Sequence, residues 1–406
     1  MSTFECPVVR VSIEKHPDAD RLDIATVGGY KCIVGRDQFK TGDLAVYVPE
    51  QSVLPEWLLK TLGFWDDLNG KGKLNGSRGN RVRAMKLRGI LSQGLLMGFD
   101  YQNPDRVAHL PAPGEHPELG LGYDMTPFPE LAESQDFAEY LGITKYEPVI
   151  PARFAGRAAG ADFDATISYD FENIKKRPDL FDDGMDVVIT EKLHGTLLMV
   201  GLVPKSIWEG KPWADKCPSF GDYKGVVSSK GNAKNGILLD PADEANLYVS
   251  KARDLWSLMY ENILEGECES GKPVYLFGEI YGEGVQDLGY GETTANFRAF
   301  DLYVGTRTDG YYATPVHFEL YCHNACIDTV PHLYTGPYSE AIVAALTAGN
   351  TTVRFLGHSP IKQIREGVVI CANWSDDSHH PRYGRRKAKS VSAAYLLRKG
   401  EVTEFQ

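Results

Sequence analysis

Between residues 8 and 100, apolar and polar positions alternate in short runs separated by turn residues. Val8-Val9-Arg10-Val11-Ser12-Ile13 alternates, Ile24-Ala25-Thr26-Val27 stops at Gly28-Gly29, and Leu44-Ala45-Val46-Tyr47-Val48 follows Thr41-Gly42-Asp43. Arg81–Leu87 and Gly94–Phe99 lie either side of a turn near Arg88-Gly89. Period-two runs bounded by Gly and Asp predict strands, and about five in this length predict a small closed β-barrel.

From 101 to 135 the chain is rich in Pro, Gly and acids (Pro111-Ala112-Pro113-Gly114, Pro117, Pro127, Pro129), the composition of a linker or surface excursion. Beyond it the pattern mixes both periods. Apolar runs at Val187–Thr190, Val274–Phe277, Phe300–Val304 and Gly367–Ile370 predict strands, and 3.6-residue periodicity predicts helices over Ala242–Glu265 and Ser339–Leu346. The fold class expected is α+β, with a barrel domain and linker over 1–130 and a larger mixed domain over 131–406.

An apolar fraction of 43% and a charged fraction of 24% are those of a soluble globular protein. No apolar run is long enough to cross a bilayer, and Met1-Ser2-Thr3-Phe4-Glu5-Cys6-Pro7 lacks the regions of a signal peptide. The expectation is a cytoplasmic or nucleoplasmic monomer, not secreted and with no membrane partner. The seven cysteines are scattered and contain no Cys-x-x-Cys pair, as expected of reduced thiols.

The net charge of −12 argues against a protein that coats nucleic acid by bulk attraction, but not against a local basic groove. Two runs are free of acids: Lys71, Lys73, Arg78, Arg81, Arg83, Lys86 and Arg88; then Arg382, Arg385, Arg386, Lys387, Lys389, Arg398 and Lys399. Such runs are usually solvated faces, and here they also suggest contact with a polyanion.

No phosphate-binding Gly-x-x-x-x-Gly-Lys-Ser/Thr loop, dinucleotide fingerprint or His-Glu-x-x-His motif occurs. Phosphate chemistry would need another device. The segment Val188-Ile189-Thr190-Glu191-Lys192-Leu193-His194-Gly195-Thr196 puts a lysine at the end of a β-branched strand, before a Gly turn and a second apolar strand. Shielding by a sheet favours the neutral amine, the form that acts as a nucleophile. Downstream come Ser228-Ser229-Lys230-Gly231, Phe277-Gly278-Glu279-Ile280-Tyr281-Gly282, Phe297-Arg298-Ala299-Phe300-Asp301, Glu366-Gly367-Val368-Val369-Ile370 and Lys387-Ala388-Lys389.

This ordered set, over about residues 140–395, resembles the motifs of the covalent nucleotidyltransferases, which include DNA ligases, RNA ligases and mRNA capping enzymes. Glu-Lys-x-His-Gly-Thr is similar to the RNA-ligase branch, since the other branches usually carry Asp where His194 stands. Ile13–Leu22 with Leu87–Gly94 resembles OB-fold modules of tRNA-binding proteins. Only Ser390–Gln406 follow the last lysine motif, so the expected arrangement is that of RNA ligases with an N-terminal OB-fold and a minimal catalytic domain. That domain would be an ATP-grasp-like adenylation domain of antiparallel sheets with flanking helices.

The resemblance implies an ATP-dependent RNA ligase that joins 3′-hydroxyl and 5′-phosphate ends through a lysyl-AMP intermediate, with RNA as partner and RNA repair as setting. It implies Lys192 as nucleophile, Glu191 against the adenine or its neighbouring backbone, Phe300 stacked on the adenine, and Lys387 and Lys389 on the phosphates. Glu279 and Glu366 would hold Mg²⁺ or Mn²⁺, while Lys230, His194, Gly195 and Asp301 would complete the nucleotide site. The alternatives are a DNA ligase, a capping-type guanylyltransferase, or a non-catalytic RNA-binding protein with a degenerate transferase domain.

Overall fold

The computed structural model describes residues 4–98, 132–146, 155–264, 271–353 and 361–398. Contacts divide the chain into two units. One comprises Ser2–Tyr146 with Lys175–Pro178; the other comprises Glu147–Ile174 and Asp179–Gln406, with Met1.

The first unit is built from short antiparallel strands. Leu44–Val48 pairs with Val8–Arg10 on one side and Leu95–Gly98 on the other, and Leu22–Val27 lies between Ser12–Lys15 and Tyr30–Gly35. Period two has a direct consequence on Leu44–Val48. Ala45 and Tyr47 enter a core with Ala25, Val27, Val34 and Phe39, whereas Val46 and Val48 enter another with Leu54, Leu58, Phe137 and Leu141. The strand is therefore buried on both faces. The segments Ile13–Leu22 and Leu87–Gly94 meet where His16 Nε2 lies 3.4 Å from the carbonyl of Leu87.

Two expectations need correction in this unit. The strand expected over Arg81–Leu87 is regular only at Met85–Leu87, which pairs with Ile90–Ser92. Arg81 instead makes isolated bridges to Val53 and Asn75, and its guanidinium stacks 3.9 Å above the ring of Tyr146. It is 6% exposed, so one member of the first basic run is a structural cation. Most of the Pro- and Gly-rich excursion, 101–131, lies outside the described residues. Its last residues pack, with the amide of Ser134 donating to the carbonyl of Val8 and the amide of Val8 to the carbonyl of Gln135, both at 2.8 Å.

The second unit is built on two main antiparallel sheets, of four and six strands, beside two short two-stranded ones. In the smaller, the order is His332–Pro337, Asp186–Lys192, Gly367–Ala372, Lys387–Val391. In the larger, it is Ser219–Phe220, Tyr223–Ser229, Thr196–Pro204, Val274–Gly282, Ala295–Gly305, Gly310–Tyr312. The short stretch Leu193–Gly195 carries the chain from one sheet to the other.

The helix over Leu247–Met259 starts later than its periodicity suggests. The side chain of Asn246 accepts from the amides of Tyr248 and Val249, a cap that sets the first turn. Its buried face, Tyr248, Val249, Ala252, Leu255, Trp256 and Met259, packs on Leu198, Val200, Val274 and Leu276 of the larger sheet. The second expected helix runs over Glu340–Thr347, capped by Ser339. Among the described residues, no helix is long and apolar enough to cross a membrane.

Leu276 is fully buried in this core and Leu68 is 98% exposed. Leu276→Ala should lower the unfolding free energy by about 2–5 kcal/mol and Leu68→Ala by less than about 0.5 kcal/mol. Chemical denaturation of the two variants checks the packing, and equal effects would contradict it.

Candidate active site

Lys192 ends its strand opposite Gly367 of the neighbouring strand. Its Nζ lies 2.6 Å from Oε1 of Glu366, the residue just before Gly367. The register forms this ion pair, and the register requires glycine. A Cβ on Gly367 would sit 2.0 Å from the carbonyl oxygen of Ser390. Gly195 is held the same way, since a Cβ there would sit 2.0 Å from the carbonyl oxygen of Ile280. Close backbone approach, not a turn with positive φ, explains both glycines.

The Lys192 side chain is 17% exposed while that of Glu366 is 3% exposed. The amine therefore reaches the cleft from a pair whose carboxylate is buried. The amine is flanked by the sheet on one side and by the adjacent carboxylate on the other. The other oxygen of Glu366, Oε2, is buried and accepts no hydrogen bond among the described residues.

The cleft holds about 830 Å³ of empty space, part of it open solvent. Of the sequence-predicted residues, Glu191, Lys192, His194, Gly195, Lys230, Glu279, Phe300, Glu366, Lys387 and Lys389 all line it. They come from both sheets and from the start of the helix Lys230–Lys234. Lys387 and Lys389, two apart on one strand, face the cleft together as period two requires.

Several of these side chains are already engaged. Glu191 Oε2 accepts from the amide and the hydroxyl of Thr352, both at 2.7 Å, with Arg365 Nε at 3.6 Å. Lys230 lies 3.6 Å from Asp170. His194 is 2% exposed. Its Nε2 is 2.7 Å from Asp287 Oδ1, and its Nδ1 is 2.9 Å from the hydroxyl of Tyr395. Burial would raise the Asp287 carboxyl, but the bonds from His194 and Arg398 outweigh it and hold it below the usual carboxylate range.

Asp301 is the predicted residue that does not line the cleft. It lines a smaller adjoining cavity, with Arg385, Cys371 and Phe318. Its carboxylate receives Arg385 through two nitrogens, at 2.5 and 3.0 Å, Lys387 at 2.7 Å and the hydroxyl of Tyr169 at 2.6 Å. Burial alone would raise its pKa, yet Arg385 and Lys387 bring it down to about 2. Lys387 thus stands at the cleft tethered from behind.

Sequence reasoning missed Tyr169, Asp170 and Phe171, which line the cleft from a segment without periodic pattern. The Lys387 ammonium lies 5.6 Å from the Tyr169 ring centroid and 5.8 Å from that of Phe171, within cation–π range. The second basic run is largely internal. Arg385 and Lys387 pair with Asp301, Arg386 with Asp182 and Arg398 with Asp287. Lys399 lies outside the described residues.

No three His, Cys, Asp or Glu side chains among the described residues form a metal-binding group. Two cleft carboxylates, one with an unpartnered buried oxygen, fit a divalent cation that takes its other ligands from water and phosphate.

Residues 185–383 match the RNA ligase family model, and residues 7–99 match a model of an OB-fold domain. The chain carries an RNA ligase domain behind an OB-fold domain. The expected closed barrel is accounted for by the second match. No curated protein matches the chain. Among solved structures, the chain is similar to a Naegleria gruberi RNA ligase mutant with ATP and Mn, at 22% identity and a TM-score of 0.67, covering 96% of this chain and 97% of that one. The Naegleria gruberi RNA ligase with PPi gives 23% identity and a TM-score of 0.65, covering 97% and 98%. The likeness is one of fold along nearly the whole length.

The Asp301 cluster makes a pH prediction. Its folded pKa of about 2 lies below the ordinary 3.8, so its contribution to stability is complete above about pH 4 and is lost as pH falls through about 2. Asp301→Asn should cost about 3–5 kcal/mol at neutral pH, because it leaves buried cations uncompensated. It should also flatten the acid limb of a plot of denaturation midpoint against pH. An unchanged limb would contradict the assignment.

Proposed function

We propose that the chain is an ATP-dependent RNA ligase in which Lys192 takes up AMP. The observation that carries this reading is the Lys192–Glu366 pair at one cleft wall, with Lys387 and Lys389 lining the same cleft. The solved relatives with ATP, AMP and Mn support the choice of nucleotide and ion.

Lys192 Nζ attacks the α-phosphorus of ATP. A nitrogen–phosphorus bond forms, the bond to pyrophosphate breaks and the amine loses a proton. Lys387 and Lys389 offset negative charge gathered on the phosphate oxygens in the transition state. Phe300 and Phe171 offer ring faces on which adenine can stack, and Glu191 closes the cleft beside Lys192. A divalent cation held by Glu279 and Glu366 would add positive charge at the same oxygens. AMP then passes from Lys192 to the 5′-phosphate of an RNA end. The 3′-hydroxyl oxygen of the other end attacks that phosphorus and AMP leaves.

The reading requires Lys192 for the first transfer and not for the last. Lys192→Ala should fail to join 3′-hydroxyl and 5′-phosphate RNA ends with ATP, yet still join a strand whose 5′ end is supplied already adenylylated. Gel assays on matched RNA and DNA 3′ ends also separate an RNA ligase from a DNA ligase. A Lys192→Ala protein that seals with ATP as the wild type does would overturn the reading.

A further inference from the structure

His194 lies two residues beyond Lys192 and lines the cleft, yet both its ring nitrogens are engaged by residues that do not line it. Asp287 accepts only, so the 2.7 Å contact puts the proton on Nε2. Nδ1 is then the acceptor for the Tyr395 hydroxyl at 2.9 Å. Arg398 donates to both oxygens of Asp287, at 2.8 and 3.0 Å. The Arg398 side chain is 8% exposed and that of Asp287 31%, so the pair is shielded on the arginine side only. The amide of His194 in turn donates to the hydroxyl of Tyr290 at 2.6 Å.

Tyr395 and Arg398 belong to a segment that also grips the partner of the nucleophile. Ser392 donates its amide to the carbonyl of Glu366 at 2.8 Å and its hydroxyl to the carbonyl of Arg365 at 2.9 Å. The same serine caps the short helix Ala393–Leu396. One short piece of chain therefore contacts the Glu366 backbone and the His194 ring together. Between them, His194 Nδ1 stands 3.8 Å from Glu366 Oε2, the buried oxygen that accepts no hydrogen bond.

We propose that Tyr395, Asp287 and Arg398 are positioning residues that lock the orientation and tautomer of His194, and through it and Ser392 fix Glu366 against Lys192. The inference rests on the reading of Lys192 as the nucleophile. Asp287, Tyr395 and Arg398 are not among the residues that line the cleft. Their loss loosens the geometry of attack and leaves the cleft walls in place, so it acts on the rate of adenylylation more than on nucleotide binding.

The test is single-turnover formation of the lysyl-AMP adduct against ATP concentration, with a thermal melt of each full-length variant. Tyr395→Phe and Asp287→Asn should each slow adduct formation by roughly tenfold or more. Half-saturating ATP should change less than about threefold in both, and the melting temperature of Tyr395→Phe should hold. Arg398→Lys keeps a cation on Asp287 and should recover most of the rate that Arg398→Ala loses. Wild-type rates in Tyr395→Phe and Asp287→Asn would overturn the proposal. So would rate losses that only track falls in melting temperature and ATP binding. A wild-type protein that takes up no AMP would instead remove the reading beneath it, and the proposal with it.

Discussion

The second unit depends on the strand register that brings Lys192 opposite Gly367 and so sets its ammonium 2.6 Å from Glu366. Both strands lie in the middle of a four-stranded antiparallel sheet, where slipping by one residue would turn every side chain to the opposite face. The register is fixed by the burial of Val187, Ile189 and Glu191 on one face of the strand Asp186–Lys192 and by Gly367, which admits no Cβ against the carbonyl oxygen of Ser390. A lysine held in this way has a defined direction into the cleft and a defined partner to leave.

The surrounding cleft distributes charge in layers. Lys387 faces the cavity but is bound from behind by Asp301, which is itself shared with Arg385 and Tyr169. A cation so tethered spends little entropy on being placed, and aromatic rings on its flank keep it in low-polarity surroundings. Glu366 has the complementary arrangement, with one oxygen on the nucleophile and the other held near His194. An RNA ligase domain needs positive charge, a stacking face and an amine in one cavity, and these elements meet there.

Much of this was legible in the chain. Lys192 follows a β-branched run and precedes a glycine, Lys387 and Lys389 differ by two, and Glu366 precedes the apolar run that pairs with the Lys192 strand. Each is a local pattern with a periodic meaning. What stayed hidden was set by distance in sequence. The second basic run looks unpaired because its acids, Asp182, Asp287 and Asp301, come from elsewhere in the chain. Arg81 looks like part of a basic patch until Tyr146 is seen beneath it. Tyr169 and Phe171 carry no period, so nothing local marks them as cleft residues. The late start of the helix Leu247–Met259 reflects the Asn246 cap, which overrides the apolar spacing upstream.

The central claim is that one particular amine forms the covalent bond to AMP. Peptide mapping by mass spectrometry, after incubation with ATP and Mn²⁺ and digestion under alkaline conditions that preserve phosphoramidates, tests it most directly. The account predicts one AMP, carried on Lys192 and released by mild acid. An adduct on any other lysine, or none on an intact protein, would contradict it.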